Sequence, residues 1–215
     1  MSDTPSAVRH LPSVLEQIRA IGIMPVVRAA SADAALQVVD AIREGGIPIL
    51  EITLTVPGAV QVIATLAKMD GVLIGAGTVL DSEAARACVD AGAKFIVTPA
   101  LDIATIETCR NLDVPIFAGA LTPTEILTAW KAGANVVKVF PAGAVGGASY
   151  LKSIKAPLPQ IELVPTGGVS LKTAADFIAA GAFALGVGAD LVSGSPAEIT
   201  DKARQYVGAV AAARR

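Results

Sequence analysis

Residues 114–140 read VPIFAGALTPTEILTAWKAGANVVKVF. A β-branched and aromatic run, Val114–Ala118, leads to Thr122-Pro123, a side-chain cap followed by a residue whose φ is preset for the first helical turn. Apolar residues then recur at helical spacing, Gly133 ends the segment, and a second apolar run, Asn135–Phe140, begins. Strand, helix and strand with short turns form one βαβ unit, whose two strands lie parallel.

The unit repeats on both sides. Further runs of strand character are Ile23–Val27, Pro48–Thr53, Val72–Ala76, Phe95–Thr98, Glu162–Thr166 and Phe183–Val187, which makes eight in all, at intervals of about twenty residues. Between them, Ser31 precedes a helix over Ala32–Glu44, Asp81 one over Ser82–Ala91, and Ser170 one over Leu171–Ala180. Gly45-Gly46, Gly92 and Gly181 close helices as Gly133 does. Several strands are apolar on both faces, as strands are when helices cover the outside and side chains fill the inside. Eight βα units in 215 residues predict a (β/α)8 TIM barrel, with an extra N-terminal helix, Leu11–Ala20, placed to plug one end. The chain reads as a single domain over 1–215, with 1–10 a flexible lead-in. An open doubly wound sheet is the alternative, disfavoured by the eight regular units and the lack of a G-x-G-x-x-G fingerprint.

Composition narrows the function. Net charge is −2, 53% of residues are hydrophobic and 17% charged, which excludes disorder and gives no electrostatic footprint for nucleic acid. No apolar run reaches the length of a membrane span, and the polar start carries no signal core, so the expectation is a soluble cytoplasmic protein. Cys88 and Cys109 lack metal-type spacing and read as small buried residues. The single histidine, His10, lies in the lead-in, so a histidine-based zinc site or a Ser-His-Asp triad is disfavoured. Chemistry then falls to Lys, Glu or Asp, hydroxyls and backbone groups.

Function in such a barrel sits at the carboxyl ends of the strands. Lys138 is the one charge in Val136-Val137-Lys138-Val139-Phe140, and alternation places Val136, Lys138 and Phe140 on one face. Burial favours the neutral amine, the form that attacks a carbonyl to make a Schiff base. The plainer reading is a lysine that snorkels outward or pairs with a carboxylate. Glu51 is the one acid in Ile49–Thr53; burial raises its pKa toward a general-base range, and a salt bridge to Arg28 or Lys138 is compatible with that role. Arg28 ends the first strand, either as a partner for a substrate carboxylate or as a surface charge. Thr166-Gly167-Gly168 and Gly186-Val187-Gly188 end strands seven and eight, where backbone N–H groups can hold an anion, unless the glycines only shape tight turns. Gly75-Ala76-Gly77-Thr78 and Thr98-Pro99 end strands three and four in a similar way.

Together these segments resemble the bacterial KDPG/KHG aldolases, which act on 2-keto-3-deoxy-6-phosphogluconate and 4-hydroxy-2-oxoglutarate. The resemblance is carried by Pro25-Val26-Val27-Arg28, Leu50-Glu51-Ile52-Thr53-Leu54, Gly75-Ala76-Gly77-Thr78-Val79, Val97-Thr98-Pro99, Lys138-Val139-Phe140-Pro141 and Pro165-Thr166-Gly167-Gly168-Val169, within residues 12–212. It implies a class I, metal-free and cofactor-free homotrimeric aldolase of carbohydrate metabolism, as in the Entner–Doudoroff route. Lys138 would form the Schiff base and Glu51 would shuttle protons. Arg28, Thr78 and Pro99 would line the pyruvate pocket beside Phe140, and Thr166, Gly167, Gly168 and Gly188 would hold the far end of the substrate. Two positions depart from the family pattern: Thr55 stands where many members have arginine, and Ala189 where many have serine. Both weaken the expectation of a phosphorylated substrate relative to a small keto acid. Another phosphate-binding barrel enzyme, an epimerase, an isomerase or a thiamine-phosphate-synthase-like protein, stays open. So does a non-catalytic trimeric scaffold.

Overall fold

The computed structural model describes residues 13–215. The expected lead-in over 1–10, His10 with it, and the first residues of the expected helix Leu11–Ala20 lie outside the described residues. Eight strands follow one another: β1 Ile23–Val27, β2 Ile49–Thr53, β3 Leu73–Gly77, β4 Ile96–Val97, β5 Ile116–Ala120, β6 Val136–Val139, β7 Leu163–Pro165 and β8 Leu185–Val187. Each pairs in parallel with its sequence neighbour from β1 to β7, and β1 also pairs with β8. A parallel bridge between Thr166 and Gly186 joins β7 to β8 and completes the ring. The fold is therefore the (β/α)8 barrel and not the open doubly wound sheet.

The connecting helices are α2 Ala32–Glu44, α3 Ala59–Leu66, α4 Ser82–Asp90, α5 Ile103–Asn111, α6 Pro123–Ala132, α7 Ala148–Lys155, α8 Ala174–Ala179, α9 Ala189–Val192 and α10 Pro196–Ala213. Their starts have local causes. Ser31 accepts the Ala34 N–H at 3.1 Å and Asp81 the Ala84 N–H at 2.8 Å, each satisfying a donor that the first turn leaves open. Thr122 and Glu125 form a capping box at α6, and Gly133 ends that helix in the left-handed conformation. Ser170 opens a turn rather than a helix. Its carbonyl accepts the N–H groups of Thr173 and Ala174, so regular helix begins only at Ala174, three residues later than the cap pattern suggests.

The core has two parts. The larger lies between strands and helices and takes in residues such as Ile42, Ile52, Ile96, Val137 and Tyr206. The smaller fills the amino end of the barrel with Met24, Ile49, Leu73, Phe95, Phe117, Val136, Val164 and Ala184, capped by Ile18 of α1, Val14–Ile21. Phe117 packs edge-on against Phe95 at 5.7 Å and Phe183 at 6.3 Å between ring centroids. α1 thus closes one end, as expected of an N-terminal plug. Cys88 and Cys109 are buried on α4 and α5, and burial pushes both thiols up to about 11. No helix among the described residues is long and apolar enough to cross a membrane.

Candidate active site

Strand alternation carries the argument from the plug to the open end. Side chains two residues apart on a strand share a face. From the inward-facing Met24, Ile49, Leu73, Phe117, Val136, Val164 and Ala184, one step of two residues reaches Val26, Glu51, Gly75, Gly119, Lys138, Thr166 and Gly186. A second step reaches Arg28, Thr53, Gly77, Phe140, Gly168 and Gly188 around the carboxyl rim. The barrel interior therefore passes from apolar, through a layer holding one acid and one amine, to a glycine-rich mouth. Glu51 and Lys138 stand on β2 and β6, opposite positions in a ring of eight, and both on even-numbered strands, the condition for sharing one interior layer.

Glycines make the room. A Cβ on Gly77 would sit 2.0 Å from Glu51 Oε1, and one on Gly186 would sit 2.1 Å from Thr166 Oγ1. A side chain at either position would displace a polar group of the site. Gly119, in register with Lys138, lets the Pro99–Ala100 backbone close over it, where a Cβ would meet the Pro99 carbonyl carbon at 2.3 Å. Thr98 ties that turn down: its hydroxyl accepts the Gly119 N–H and donates to the Ala100 carbonyl, both at 2.8 Å. Thr78, next to Gly77, adopts φ 56°, which a β-branched residue rarely does. The ladder bonds from Ala76 N–H to Phe95 O and from Val79 N–H to Val97 O hold it on either side.

The electrostatics follow from burial. Glu51 is 0% exposed and Lys138 2%. Desolvation raises the Glu51 pKa, opposed by the positive charges of Lys138 and Arg28. Desolvation lowers the Lys138 pKa; the Glu51 carboxylate opposes that shift and Arg28 adds to it. Both groups are thus driven toward their neutral forms, the amine toward its nucleophilic one. Neither Glu51 oxygen, nor Thr166 Oγ1, has a hydrogen-bond partner among the described residues. Lys138 Nζ lies 5.3 Å from the centroid of the Phe140 ring.

Near this pair, at the carboxyl ends of β1, β6, β7 and β8, opens a cavity of about 610 Å³ whose wall includes Arg28, Phe140, Thr166, Gly167, Gly168 and Gly188. Lys138 and Glu51 do not line it. Gly167 and Gly168 hold φ of +80° and +81°, a backbone course that only glycine takes freely, and a Cβ on Gly167 would crowd Phe140 at 3.3 Å. All ten residues singled out in the sequence therefore gather at one end of the barrel: Lys138, Glu51, Arg28, Thr78, Pro99, Phe140, Thr166, Gly167, Gly168 and Gly188. Thr55, one of the two departures, shares a 2.7 Å hydrogen bond with the Thr53 hydroxyl, which in turn donates to the Val27 carbonyl at 3.0 Å. The sequence reading passes over Asp190, which also lines the cavity. Its only signal is adjacency to Gly188-Ala189.

Comparison with known proteins places this geometry. The family described as "Aldolase: KDPG and KHG aldolase" matches residues 14–207. The 2-dehydro-3-deoxy-phosphogluconate aldolase of Haemophilus influenzae is 35% identical over 77% of this chain and 79% of its own length. That of Pseudomonas aeruginosa is 38% identical over 73% and 72%. A crystal structure of KDPG aldolase from Legionella pneumophila, with pyruvate captured at low pH as a covalent carbinolamine intermediate, superposes with a TM-score of 0.79 at 28% identity, covering 94% of this chain and 98% of that one.

Proposed function

The chain belongs to the KDPG and KHG aldolase family, and from that premise we propose that it is a class I aldolase whose Schiff base forms on Lys138. The reaction cleaves a 2-keto-4-hydroxy acid, 2-dehydro-3-deoxy-6-phosphogluconate or 4-hydroxy-2-oxoglutarate, reversibly to pyruvate and an aldehyde, glyceraldehyde 3-phosphate or glyoxylate. The observation that carries the assignment is the buried Lys138–Glu51 pair, each member shifted toward neutrality by desolvation.

Neutral Lys138 Nζ attacks the C2 carbonyl. The carbinolamine loses water to give an iminium. Glu51, directly or through water, takes the proton of the C4 hydroxyl. The C3–C4 bond breaks, its electron pair moves to the iminium to leave an enamine, and the aldehyde departs. Protonation at C3 and hydrolysis release pyruvate and restore the amine. Arg28 faces the substrate carboxylate, with Thr78 and Pro99 on the same side and Phe140 against the lysine stem. Thr166, Gly167, Gly168 and Gly188 receive the far end.

The test is incubation with pyruvate and sodium borohydride followed by peptide mass mapping. A reduced pyruvyl adduct on Lys138, absent in Lys138→Met, is the expected outcome; folded wild-type protein without an adduct would overturn the assignment. The reading also takes the chain as one barrel domain, cytoplasmic, with no nucleic-acid or membrane partner, and self-associated as a homotrimer. Cell fractionation checks the location and light scattering the trimer.

A further inference from the structure

We propose that Thr53 is a positioning residue that holds the end of β1, and with it Arg28, at the mouth of the barrel, and that Thr55 supports it from behind. The inference rests on the aldolase reading of the site, in which Arg28 faces the substrate carboxylate.

Arg28 lies one residue beyond the end of β1. It lines the cavity, and its charge acts on both Glu51 and Lys138. Its guanidinium has no hydrogen bond or ion pair among the described residues, so only the backbone sets where that side chain starts. The ladder from β1 to β2 pairs Val26 with Glu51 and Val27 with Ile52, and goes no further. The ladder from β2 to β3 runs one residue longer, to Thr53 and Gly77, and the Leu54 N–H donates to the Gly77 carbonyl at 2.8 Å. Thr53 is thus fixed on its β3 side at the level where the pairing with β1 has ended. Its side chain bridges that gap.

Thr53 is 0% exposed, and its hydroxyl donates to the Val27 carbonyl at 3.0 Å. That carbonyl belongs to the planar peptide unit whose nitrogen is that of Arg28, so fixing the oxygen fixes the plane from which Arg28 departs. Val27 is buried as well, and solvent does not replace a lost donor there. A hydroxyl has one proton, and Thr53 spends it on Val27. In the 2.7 Å bond between Thr53 and Thr55 the donor is therefore Thr55. Two hydroxyls in a row, each donating to the next acceptor, strengthen the bond at the end of the chain.

The test follows pyruvate trapping on Lys138 with sodium cyanoborohydride, against pyruvate concentration and against pH. The variants are Thr53→Val, Thr53→Ser, Thr55→Val, Arg28→Gln, and each valine change combined with Arg28→Gln. Thr53→Val is expected to raise the half-saturating pyruvate about threefold or more, because a buried carbonyl without its donor releases the end of β1. Thr53→Ser keeps the donor and should stay near wild type. Thr55 is exposed, and Thr55→Val should move the same way by less; it carries the test if Thr53→Val does not fold. Arg28 lowers the pKa of Lys138, so its displacement moves the acid-side midpoint of trapping to higher pH, while Glu51 of β2, the other charge acting on the lysine, is common to every variant. A lesion confined to stability would lower the melting temperature and leave half-saturation and midpoint where they are. In the Arg28→Gln background the valine changes are expected to add nothing. Additive effects, a serine variant that behaves like the valine one, or wild-type values in the folded valine variants overturn the role of Thr53. Arg28→Gln with wild-type half-saturation removes the carboxylate contact and the role of Thr53 with it, while an adduct on Lys138 still upholds the aldolase reading; folded wild-type protein without an adduct sinks both.

Discussion

Lys138 and Glu51 oppose each other in stability as well as in chemistry. A carboxyl whose pKa is raised in the fold binds its proton more tightly there than in the unfolded chain. Stability from Glu51 is thus fully present below the ordinary carboxylate range and is lost as pH rises through its folded pKa. Lys138, with a lowered pKa, makes the fold less stable below its folded pKa and regains that stability as pH climbs toward the ordinary lysine value. Glu51→Gln removes a buried carboxylate that has no hydrogen-bond partner among the described residues. The expected outcome at pH 7 is a melting temperature a few degrees above wild type, with turnover reduced by about 100-fold or more. The melting gap should close as pH falls toward 4.5, because wild-type Glu51 is then protonated. Calorimetry across that range decides it, and a variant that melts lower at pH 7 contradicts the account. Both residues were legible in the chain, because a single charge inside an apolar strand is hard to explain as surface. Asp190 was not. Nothing in local spacing distinguishes it from the other acids of the chain; its place on the cavity wall and its hydrogen bonds from the Tyr206 hydroxyl and the Leu171 N–H belong to three dimensions.

At the scale of the elements, the strands carry the site by what they leave out. Gly75 and Gly77 are both inward-facing on β3, yet they clear space for different things. A Cβ on Gly75 would meet the Phe95 ring at 2.3 Å, whereas one on Gly77 would meet the Glu51 carboxylate. Gly75→Ala should therefore destabilise the barrel by about 1–3 kcal/mol through overpacking, while the folded fraction keeps its kcat. Gly77→Ala should lower kcat more than it lowers the melting temperature, because the displaced group is the proposed base. Paired melts and kinetics on the two variants check the contrast, and matching losses of kcat would refute it. The order and kind of elements followed from alternation and caps. Their ends did not. β5 runs over Ile116–Ala120 rather than from Val114, because the ladder continues through Gly119 and Ala120 against Lys138 and Val139. That two-residue extension brings Gly119 beside the lysine. Ser170, a good cap by residue type, spends its carbonyl on a turn.

For the molecule as a whole, the two ends of the barrel do separate work. Ile18 and the aromatic cluster seal the amino end, and the chemistry gathers at the other. The outer surface bears on assembly. Only 17% of residues are charged and mean hydropathy is +0.62, and Leu80 and Ile103 are exposed after β3 and at the start of α5. Such a surface favours burial between copies. Light scattering is expected to give a mass near three times 21.7 kDa, and a monomer would contradict the homotrimer. Local patterning alone determined the eight βα units, the parallel sheet, the plug helix and that Lys138 shares a face with Val136 and Phe140, because alternation and capping act between residues close in the chain; that this face is the inward one came with the closed barrel. Tertiary structure alone decided that β2 and β6 face each other, that desolvation acts on both charged groups together, and that Asp190 joins the cavity wall. Those properties depend on ring closure and on the exclusion of water, which arise only between residues far apart in sequence.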